Sequence, residues 1–198
     1  MDRSICIFGD SVTQADYVEE NYVELLRKYL EKQYKDDYIQ VYNLGVSGNT
    51  TKDILKRFEF ESSVRNPTEM IFQIGINDSC YLWTEDKPMV SSDKFESNLK
   101  KLIIQAGGFT KNIVFLGLTL GDDSILKPFP GSLMGESYDL ARVKKYDKIL
   151  KEVVEKNFCR FIPLLDKLNF DDFLDGLHPN QNGHTKMFEE IKKYFKIL

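Results

Sequence analysis

Five short apolar runs alternate with segments of helical periodicity along this chain, and this alternation constrains its fold more than any other feature. The apolar runs span residues 4–8, 39–44, 70–74, 113–118 and 158–162. Helical patterns follow them, the clearest over residues 92–106, over residues 138–157 and from residue 183 to the end. A repeated strand–helix alternation predicts a parallel sheet with helices on both faces. We therefore expect an α/β fold.

The size and charge of the chain limit its number of domains and its possible partners. The chain has 198 residues, 42% of them hydrophobic, which suits one domain over residues 1–198 and leaves no room for a second. Its 27 basic and 31 acidic residues give a net charge of -4 and are spread along the whole length. Without a basic block, nucleic acid is not an expected partner. The apolar runs are far shorter than the roughly 18 residues of a membrane-spanning helix, so no membrane span is expected.

The cysteines and the first residues indicate a reducing compartment. Cys6, Cys80 and Cys159 are odd in number and form no Cys-x-x-Cys pair, so neither a disulfide framework nor zinc is indicated. We expect reduced thiols, with Cys6 and Cys159 in core strands. Residues 1–4 lead into a strand without the pattern of a secretion signal, and a cytoplasmic location is expected.

Turn and capping residues separate the predicted elements. Asn21 stands three residues before Glu24, as in a helix-capping box, and Thr50 or Thr51 suits the cap of the next helix. Residues 119–136 are rich in glycine and proline and exceed the usual length of a connection. Loops of that length are often functional.

Small and polar residues follow the first, second and third strands, and another such set lies near the end of the chain. The first set is Gly9-Asp10-Ser11, where a hydroxyl would meet free backbone N–H groups. Taken alone, Asp10 and Ser11 are more typical of a turn or a helix cap than of a catalytic site. Because the carboxyl ends of parallel strands open on one crevice, residues from distant segments are expected to meet there.

Two histidines, His178 and His184, are the candidates for an imidazole base. Asp175 precedes His178 by three residues, a spacing that lets a carboxylate orient the ring in a turn. The alternative for the same segment is an ordinary surface turn. His184 follows Asn182-Gly183 at the start of the last helix, where we expect a local structural role.

Gly48 and Asn77 are candidate donors to a developing oxyanion. A glycine N–H can approach a ligand closely, and an asparagine amide is a neutral donor. With the N–H of Ser11 they would supply three donors. Considered one at a time, Gly48 and Asn77 are each typical of an ordinary turn.

At these residues the chain resembles the SGNH, or GDSL-type, hydrolase family of esterases and lipases, whose four sequence blocks are matched in order. Gly9-Asp10-Ser11 is similar to the first block, although Val12 replaces the usual leucine. Gly48 matches the glycine of the second block better than the nearby Gly45 does. Residues 75–78 are similar to the third block and residues 175–179 to the fourth.

The resemblance implies a fold, a mechanism and a substrate class. The fold is a three-layer α/β/α sandwich with a five-stranded, flavodoxin-like parallel sheet. Ser11 would be the nucleophile, His178 the general base and Asp175 the group that orients it, with Ser11, Gly48 and Asn77 forming the oxyanion hole. Neither a metal nor an organic cofactor is implied. The partner is a small-molecule ester, for which we expect short acyl chains, acetyl above all.

Two other functions remain open at the level of sequence. A metal-dependent phosphotransfer enzyme would use Asp10 as nucleophile, with Asp78, Asp122 or Asp123 holding magnesium. A non-catalytic domain with the same fold would bind an ester or a carbohydrate without hydrolysing it.

Apolar side chains in the two long loops are candidates for the substrate pocket. They are Trp83, Phe129, Leu133 and Met134. Aromatic and aliphatic groups of this kind line acyl pockets, and they also pack loops together.

Overall fold

The five predicted strands pair side by side in the computed structural model, which describes residues 2–195 of the chain. Their order across the sheet is β2-β1-β3-β6-β8, and every pair is parallel. The strands of the described chain are β1 (Arg3–Gly9), β2 (Ile39–Gly45), β3 (Glu69–Gln73), β4 (Tyr81–Leu82), β5 (Lys87–Pro88), β6 (Ile113–Leu116), β7 (Glu136–Ser137) and β8 (Arg160–Ile162). This order is that of a flavodoxin-like sheet.

Helices cover both faces of the sheet, so the predicted three-layer α/β/α fold is confirmed. The helices are α1 (Ser11–Gln14), α2 (Tyr22–Gln33), α3 (Thr51–Ser63), α4 (Ile76–Ser79), α5 (Ser92–Ala106), α6 (Leu140–Lys156) and α7 (Gln181–Phe195). Side chains of β1 alternate between the two faces because successive residues of a strand point in opposite directions. Ile5 and Ile7 pack with α2 and α7, whereas Cys6 and Phe8 pack with α3, α5 and α6.

The predicted caps of two helices are confirmed. The Asn21 side chain accepts from the N–H groups of Val23 and Glu24 at 3.0 and 3.1 Å, which begins α2. Thr50 is the cap of α3, and its hydroxyl donates to the Asp53 carboxylate at 2.7 Å. Such caps satisfy amide groups that the first turn of a helix leaves unpaired.

The bounds of one predicted strand and two predicted helices differ from those observed. β6 ends at Leu116 instead of residue 118, because the N–H of Leu118 donates to the Asp147 side chain at 2.8 Å. α6 begins after Asp139, whose carboxylate caps it. The last helix begins at Gln181, and its predicted end at residue 198 lies outside the described residues.

The placement of Cys159 in a core strand is wrong. Phe158 has a φ of 57°, and the N–H of Cys159 donates to Val154 O at 3.1 Å. Both residues therefore belong to the turn that ends α6, and Cys159 is only half-buried. Cys6 is buried in β1 as expected, and all three cysteines are free thiols. The cytoplasmic location and the single domain over residues 1–198 stay predictions.

A small antiparallel sheet, which the sequence did not predict, lies in the long loops. It has the order β5-β4-β7, and each strand is two residues long. Strands of two residues are too short to show an alternation of apolar and polar residues, so the sequence does not indicate them. The sheet joins the loop after α4 to the loop before α6. No helix within residues 2–195 has the length and apolarity needed to cross a bilayer.

The carboxyl ends of β1, β2 and β3 lie level with one another and create the crevice of the fold. Gly9 is in register with Gly45 on one side and with Gln73 on the other. Gly45 must be glycine because a Cβ there would lie 2.2 Å from the backbone nitrogen of Gln14. The close approach brings α1, and with it Ser11, against the end of β2.

Candidate active site

Ser11 is the first residue of α1 and follows β1 directly. Asp10 caps this short helix by accepting from the N–H of Val12 at 3.0 Å. The first N–H groups of a helix have no partner within it. Among residues 2–195, no hydrogen bond engages the N–H of Ser11. The serine therefore presents a hydroxyl and a free amide at the same point.

A chain of two hydrogen bonds joins Ser11, His178 and Asp175. The Nε2 atom of His178 lies 3.0 Å from Ser11 Oγ, although the two residues are 167 positions apart. Its Nδ1 atom lies 2.7 Å from Asp175 Oδ2. Both ring nitrogens are thus within hydrogen-bonding distance of the two groups that the sequence suggested.

The turn that holds His178 is built by the Asp175 carboxylate. Its Oδ1 atom accepts from the N–H groups of Leu177 and His178 at 3.0 and 2.8 Å. The N–H of Leu174 donates to His178 O at 2.8 Å and closes the loop. Burial raises the pKa of Asp175, but the hydrogen bonds from the His178 ring and from these two amides outweigh it, and the pKa lies below its ordinary value. Asp175 is therefore a carboxylate at neutral pH.

An ionised Asp175 decides the tautomer of the neutral histidine. A carboxylate only accepts hydrogen bonds, so Nδ1 must carry the proton. The lone pair of Nε2 then faces the Ser11 hydroxyl, which donates to it. This arrangement suits transfer of the serine proton to the ring.

The N–H groups of Gly45 and Gly48 differ in whether they are free to bind a ligand. The N–H of Gly45 donates to the Asn43 side chain at 3.0 Å and is already used. Gly48 is exposed, and within residues 2–195 its N–H has no acceptor. Its φ of 76° lies in the left-handed region that favours glycine. Gly48 therefore keeps a free donor in the loop after β2.

The Asn77 amide is held at both ends in the turn after β3. Its Nδ2 donates to Asn49 O at 3.0 Å, and its Oδ1 accepts from the Tyr138 hydroxyl at 3.1 Å. Nδ2 carries two hydrogens, and no second acceptor engages it among the described residues. One N–H of Asn77 is thus left over for a ligand.

Two aromatic rings pack against the His178 ring. The ring centroid of Tyr17 lies 5.2 Å away and that of Phe129 6.0 Å away, both edge-on. Phe129 was predicted as a pocket residue, and it contacts the histidine. Sequence reasoning missed Tyr17, because nothing in its neighbourhood marks it as different from a surface residue.

The other predicted pocket residues lie on the surface of the long loops. Trp83, Leu133 and Met134 are 53%, 99% and 71% exposed. Trp83 is tied to this region by its N–H, which donates to Gly135 O at 2.9 Å. Within residues 2–195, no hydrogen bond or ring contact joins these three residues to Ser11 or His178. Their role in substrate binding stays a prediction.

His184 is buried behind the site and contacts two tyrosines. The N–H of Tyr22 donates to its Nδ1 at 3.4 Å, and the Tyr17 hydroxyl lies 3.4 Å from its Nε2. Burial, together with the charge of His178, lowers the pKa of His184 to about 4. A neutral, enclosed imidazole of this kind agrees with the local structural role expected for it.

The carboxylates required by the phosphotransfer alternative are bound to groups of the protein itself. Asp10 and Asp78 are buried, and Asp78 accepts from the N–H and the hydroxyl of Thr51. Asp122 accepts from Ser124, and Asp123 pairs with Lys127 at 2.7 Å. In the described part of the chain, no three His, Cys, Asp or Glu side chains are grouped so as to hold a metal ion. The geometry therefore offers this alternative no ligand set.

Asp10 makes stability depend on pH. Burial raises its pKa from 3.8 to about 7, although the bond from Val12 N–H and the charge of His178 act in the opposite direction. Its contribution to stability is therefore complete below pH 3.8 and is lost as the pH rises through 7. An asparagine side chain does not titrate. As the pH rises from 5 to 8, we expect the free energy of unfolding of Asp10→Asn to increase by about 2 kcal/mol relative to that of wild type, because only the wild type loses this contribution. Urea unfolding at each pH measures the difference.

Asp122→Asn is the matched control for that comparison. Asp122 is a capping aspartate like Asp10, but its pKa lies below its ordinary value because it accepts from Ser124. Its variant should not gain stability over the same pH interval. An Asp10→Asn protein whose difference from wild type stayed constant with pH would contradict the account of Asp10.

The fold and the site together define an α/β/α hydrolase in which a serine at the end of β1 meets a histidine and an aspartate from the loop before α7. The chain belongs to the GDSL-like Lipase/Acylhydrolase family, whose model matches residues 7–186. The resemblance seen in the four sequence blocks is thereby confirmed, and the chain is a carboxylic ester hydrolase.

Two curated proteins and several solved structures are similar to the chain. An acetylxylan esterase of Geobacillus stearothermophilus is 26% identical over 181 residues, covering 82% of this chain and 75% of its own length. The uncharacterized lipoprotein YqeF of Bacillus subtilis (strain 168) is 31% identical over 104 residues, which are 49% of this chain and 40% of that protein.

The solved structures show the fold. The crystal structure of Axe2, an acetylxylan esterase from Geobacillus stearothermophilus, superposes with a TM-score of 0.76 at 22% identity, covering 96% of this chain and 93% of the other. LAE5, an alpha/beta hydrolase enzyme from the metagenome of Lake Arreo, gives a TM-score of 0.74 at 22% identity and the same coverage.

Proposed function

We propose that this chain is a serine esterase that hydrolyses short acyl esters, acetyl above all, through an acyl-enzyme intermediate. The observation that carries the proposal is the continuous hydrogen-bonded chain from Ser11 Oγ through the His178 ring to the Asp175 carboxylate. A serine hydroxyl is a weak nucleophile until a base takes its proton, and this chain supplies the base and the group that orients it.

Acylation begins when Ser11 Oγ attacks the ester carbonyl carbon and its proton moves to His178 Nε2. The carbonyl oxygen becomes an oxyanion, which accepts from the N–H groups of Ser11 and Gly48 and from Nδ2 of Asn77. Each such donor typically contributes about 100- to 1000-fold in rate. Asp175 stabilises the imidazolium that forms. The alcohol then leaves with the proton from Nε2, and the acyl group remains on Ser11.

Deacylation repeats these steps with water as the nucleophile. His178 takes a proton from water as the water oxygen attacks the acyl carbon. The same three donors hold the second oxyanion. The acid is released when the bond to Ser11 Oγ breaks and His178 returns the proton to the serine.

The preference for short acyl groups is supported by the rings around the histidine and by the relatives. Phe129 and Tyr17 both pack edge-on against the His178 ring and occupy space beside it. The similar protein of Geobacillus stearothermophilus is an acetylxylan esterase. Acetylated sugars, in which the acyl group is small and the alcohol is large, are the substrate class that fits both.

A panel of esters with one leaving group tests this preference. The p-nitrophenyl esters of acetate, butyrate and octanoate differ only in the acyl chain, and acetylated xylo-oligosaccharides add a carbohydrate alcohol. We expect kcat/KM to be highest for acetate and to fall by at least about 10-fold at octanoate, as expected when added methylenes no longer fit a pocket. Faster turnover of octanoate than of acetate would contradict the acetyl preference.

Adding p-nitrophenyl phosphate and a binding measurement to this panel distinguishes the two other functions. Binding of acetylated xylo-oligosaccharides with no hydrolysis of any ester would favour a binding domain. Magnesium-dependent release of phosphate from p-nitrophenyl phosphate, with no ester hydrolysis, would favour the phosphotransfer enzyme.

A further inference from the structure

The Tyr138 hydroxyl reaches Asn77 from the far end of the long loop, 61 residues away in sequence. We infer that Tyr138 is a positioning residue for the oxyanion hole. By donating its O–H to Asn77 Oδ1, it holds the amide so that one N–H of Nδ2 remains directed to the substrate oxygen. The inference rests on the proposed serine mechanism, and it assigns a role to a residue outside the four sequence blocks.

The hydrogen-bond partners of Asn77 determine which end of the amide faces which neighbour. Asn49 O is a carbonyl and only accepts, so Nδ2 must face it. Oδ1 then faces the Tyr138 oxygen, which must donate. Rotating the amide by half a turn would place Oδ1 against Asn49 O, two acceptors without a proton between them. Asn49 and Tyr138 therefore select the same orientation from opposite sides.

Tyr138 is itself held rigidly. Its side chain is buried, and its N–H donates to Leu126 O at 3.0 Å. The residue before it, Ser137, pairs with Tyr81 in the small antiparallel sheet. Burial also raises the pKa of Tyr138 far above its ordinary value, so the hydroxyl keeps its proton. A fixed donor of this kind restricts the rotation of the Asn77 amide, as preorganised oxyanion stabilisation requires.

The Phe129 ring connects the Tyr138–Asn77 hydrogen bond to His178, the general base of the proposed mechanism. Phe129 packs edge-on against Tyr138, with ring centroids 6.3 Å apart, and also against His178. The long loop thus contacts both the histidine that moves the proton and the tyrosine that holds the oxyanion donor. This gives the loop a function in positioning, besides any part it takes in binding substrate.

Tyr138→Phe tests the inference because it removes one oxygen atom and leaves the ring. We expect kcat for p-nitrophenyl acetate to fall about 10-fold with KM nearly unchanged, since a donor that is less well oriented stabilises the transition state less. Asn77→Ala should lower kcat by about 100- to 1000-fold. In the Asn77→Ala background, Tyr138→Phe should have no further effect on kcat, because the group that it positions is absent.

Tyr146→Phe is the matched control. Tyr146 is buried, and its hydroxyl donates to Val90 O, so this variant also loses one buried hydrogen bond. Both tyrosine variants should show lower melting temperatures, but only Tyr138→Phe should lower kcat.

Wild-type kcat in Tyr138→Phe, or equal losses from that change with and without Asn77, would overturn the inference. The proposed serine mechanism would stand in that case, since its own test is whether hydrolysis depends on Ser11.

Discussion

Ser11→Ala should lower kcat for p-nitrophenyl acetate by about 10,000-fold or more, because no acyl-enzyme can form without the hydroxyl. The remaining rate would come from the free N–H groups around the site, which still stabilise an oxyanion formed by direct attack of water. KM should change little, since the hydroxyl contributes little to binding of the ground state. Steady-state kinetics on purified protein, with a burst-phase measurement for the wild type, provide both numbers.

Folding is not expected to change in this variant. The Ser11 side chain is half-buried and, among residues 2–195, hydrogen-bonds to His178 alone, so the melting temperature should stay close to that of wild type. Ser97→Ala, a serine on α5 whose side chain forms no hydrogen bond among the described residues, serves as the matched control and should be fully active. More than about one hundredth of wild-type kcat in Ser11→Ala would exclude Ser11 as the nucleophile.

His178→Ala should lower kcat by a similar factor, again about 10,000-fold or more. The Nε2 atom, 3.0 Å from Ser11 Oγ, is the acceptor of the serine proton, and no other imidazole of the described chain contacts that oxygen. His184 cannot replace it because it is enclosed between Tyr17 and Tyr22. Steady-state kinetics on p-nitrophenyl acetate, run in one buffer for the variant and the wild type, measure the loss.

The losses of kcat caused by Ser11→Ala and His178→Ala should not be additive in free energy. Once Ser11 is absent, the histidine has no hydroxyl to deprotonate, so the Ser11→Ala, His178→Ala double variant should be about as active as either single variant, as for residues that act as one unit. Losses that multiplied in the double variant would indicate that the two residues act independently, against the proposed mechanism.

The parts of the site that the sequence predicted are those placed by strand ends and tight turns. Ser11, Gly48 and Asn77 each follow a strand of the parallel sheet, and such strands must end at the same edge. Asp175 and His178 stand three residues apart around a glycine, which is enough to predict a turn that brings the side chains together. Local spacing and sheet topology therefore predicted that these segments meet, and the catalytic roles of the five residues stay predictions.

The residues that sequence reasoning missed are brought in by tertiary packing. Tyr17 and Tyr138 occupy no recognisable motif, and their contacts with His178 and Asn77 depend on how two loops fold over the sheet. The pairing of β4 with β7 is equally non-local, and strands of two residues show no period. Cys159 was misplaced for the opposite reason: the apolar run continues through the turn that ends α6, so hydrophobicity alone extended the strand too far.

The nucleophile can be identified most directly by labelling with a fluorophosphonate, which reacts with activated serine hydroxyls. Peptide mapping by mass spectrometry should place a single adduct on Ser11, and ester hydrolysis should be lost in proportion to labelling. The Ser11→Ala protein should not be labelled, and His178→Ala should react far more slowly. An adduct on a different residue, or full hydrolysis by protein completely labelled at Ser11, would contradict the account.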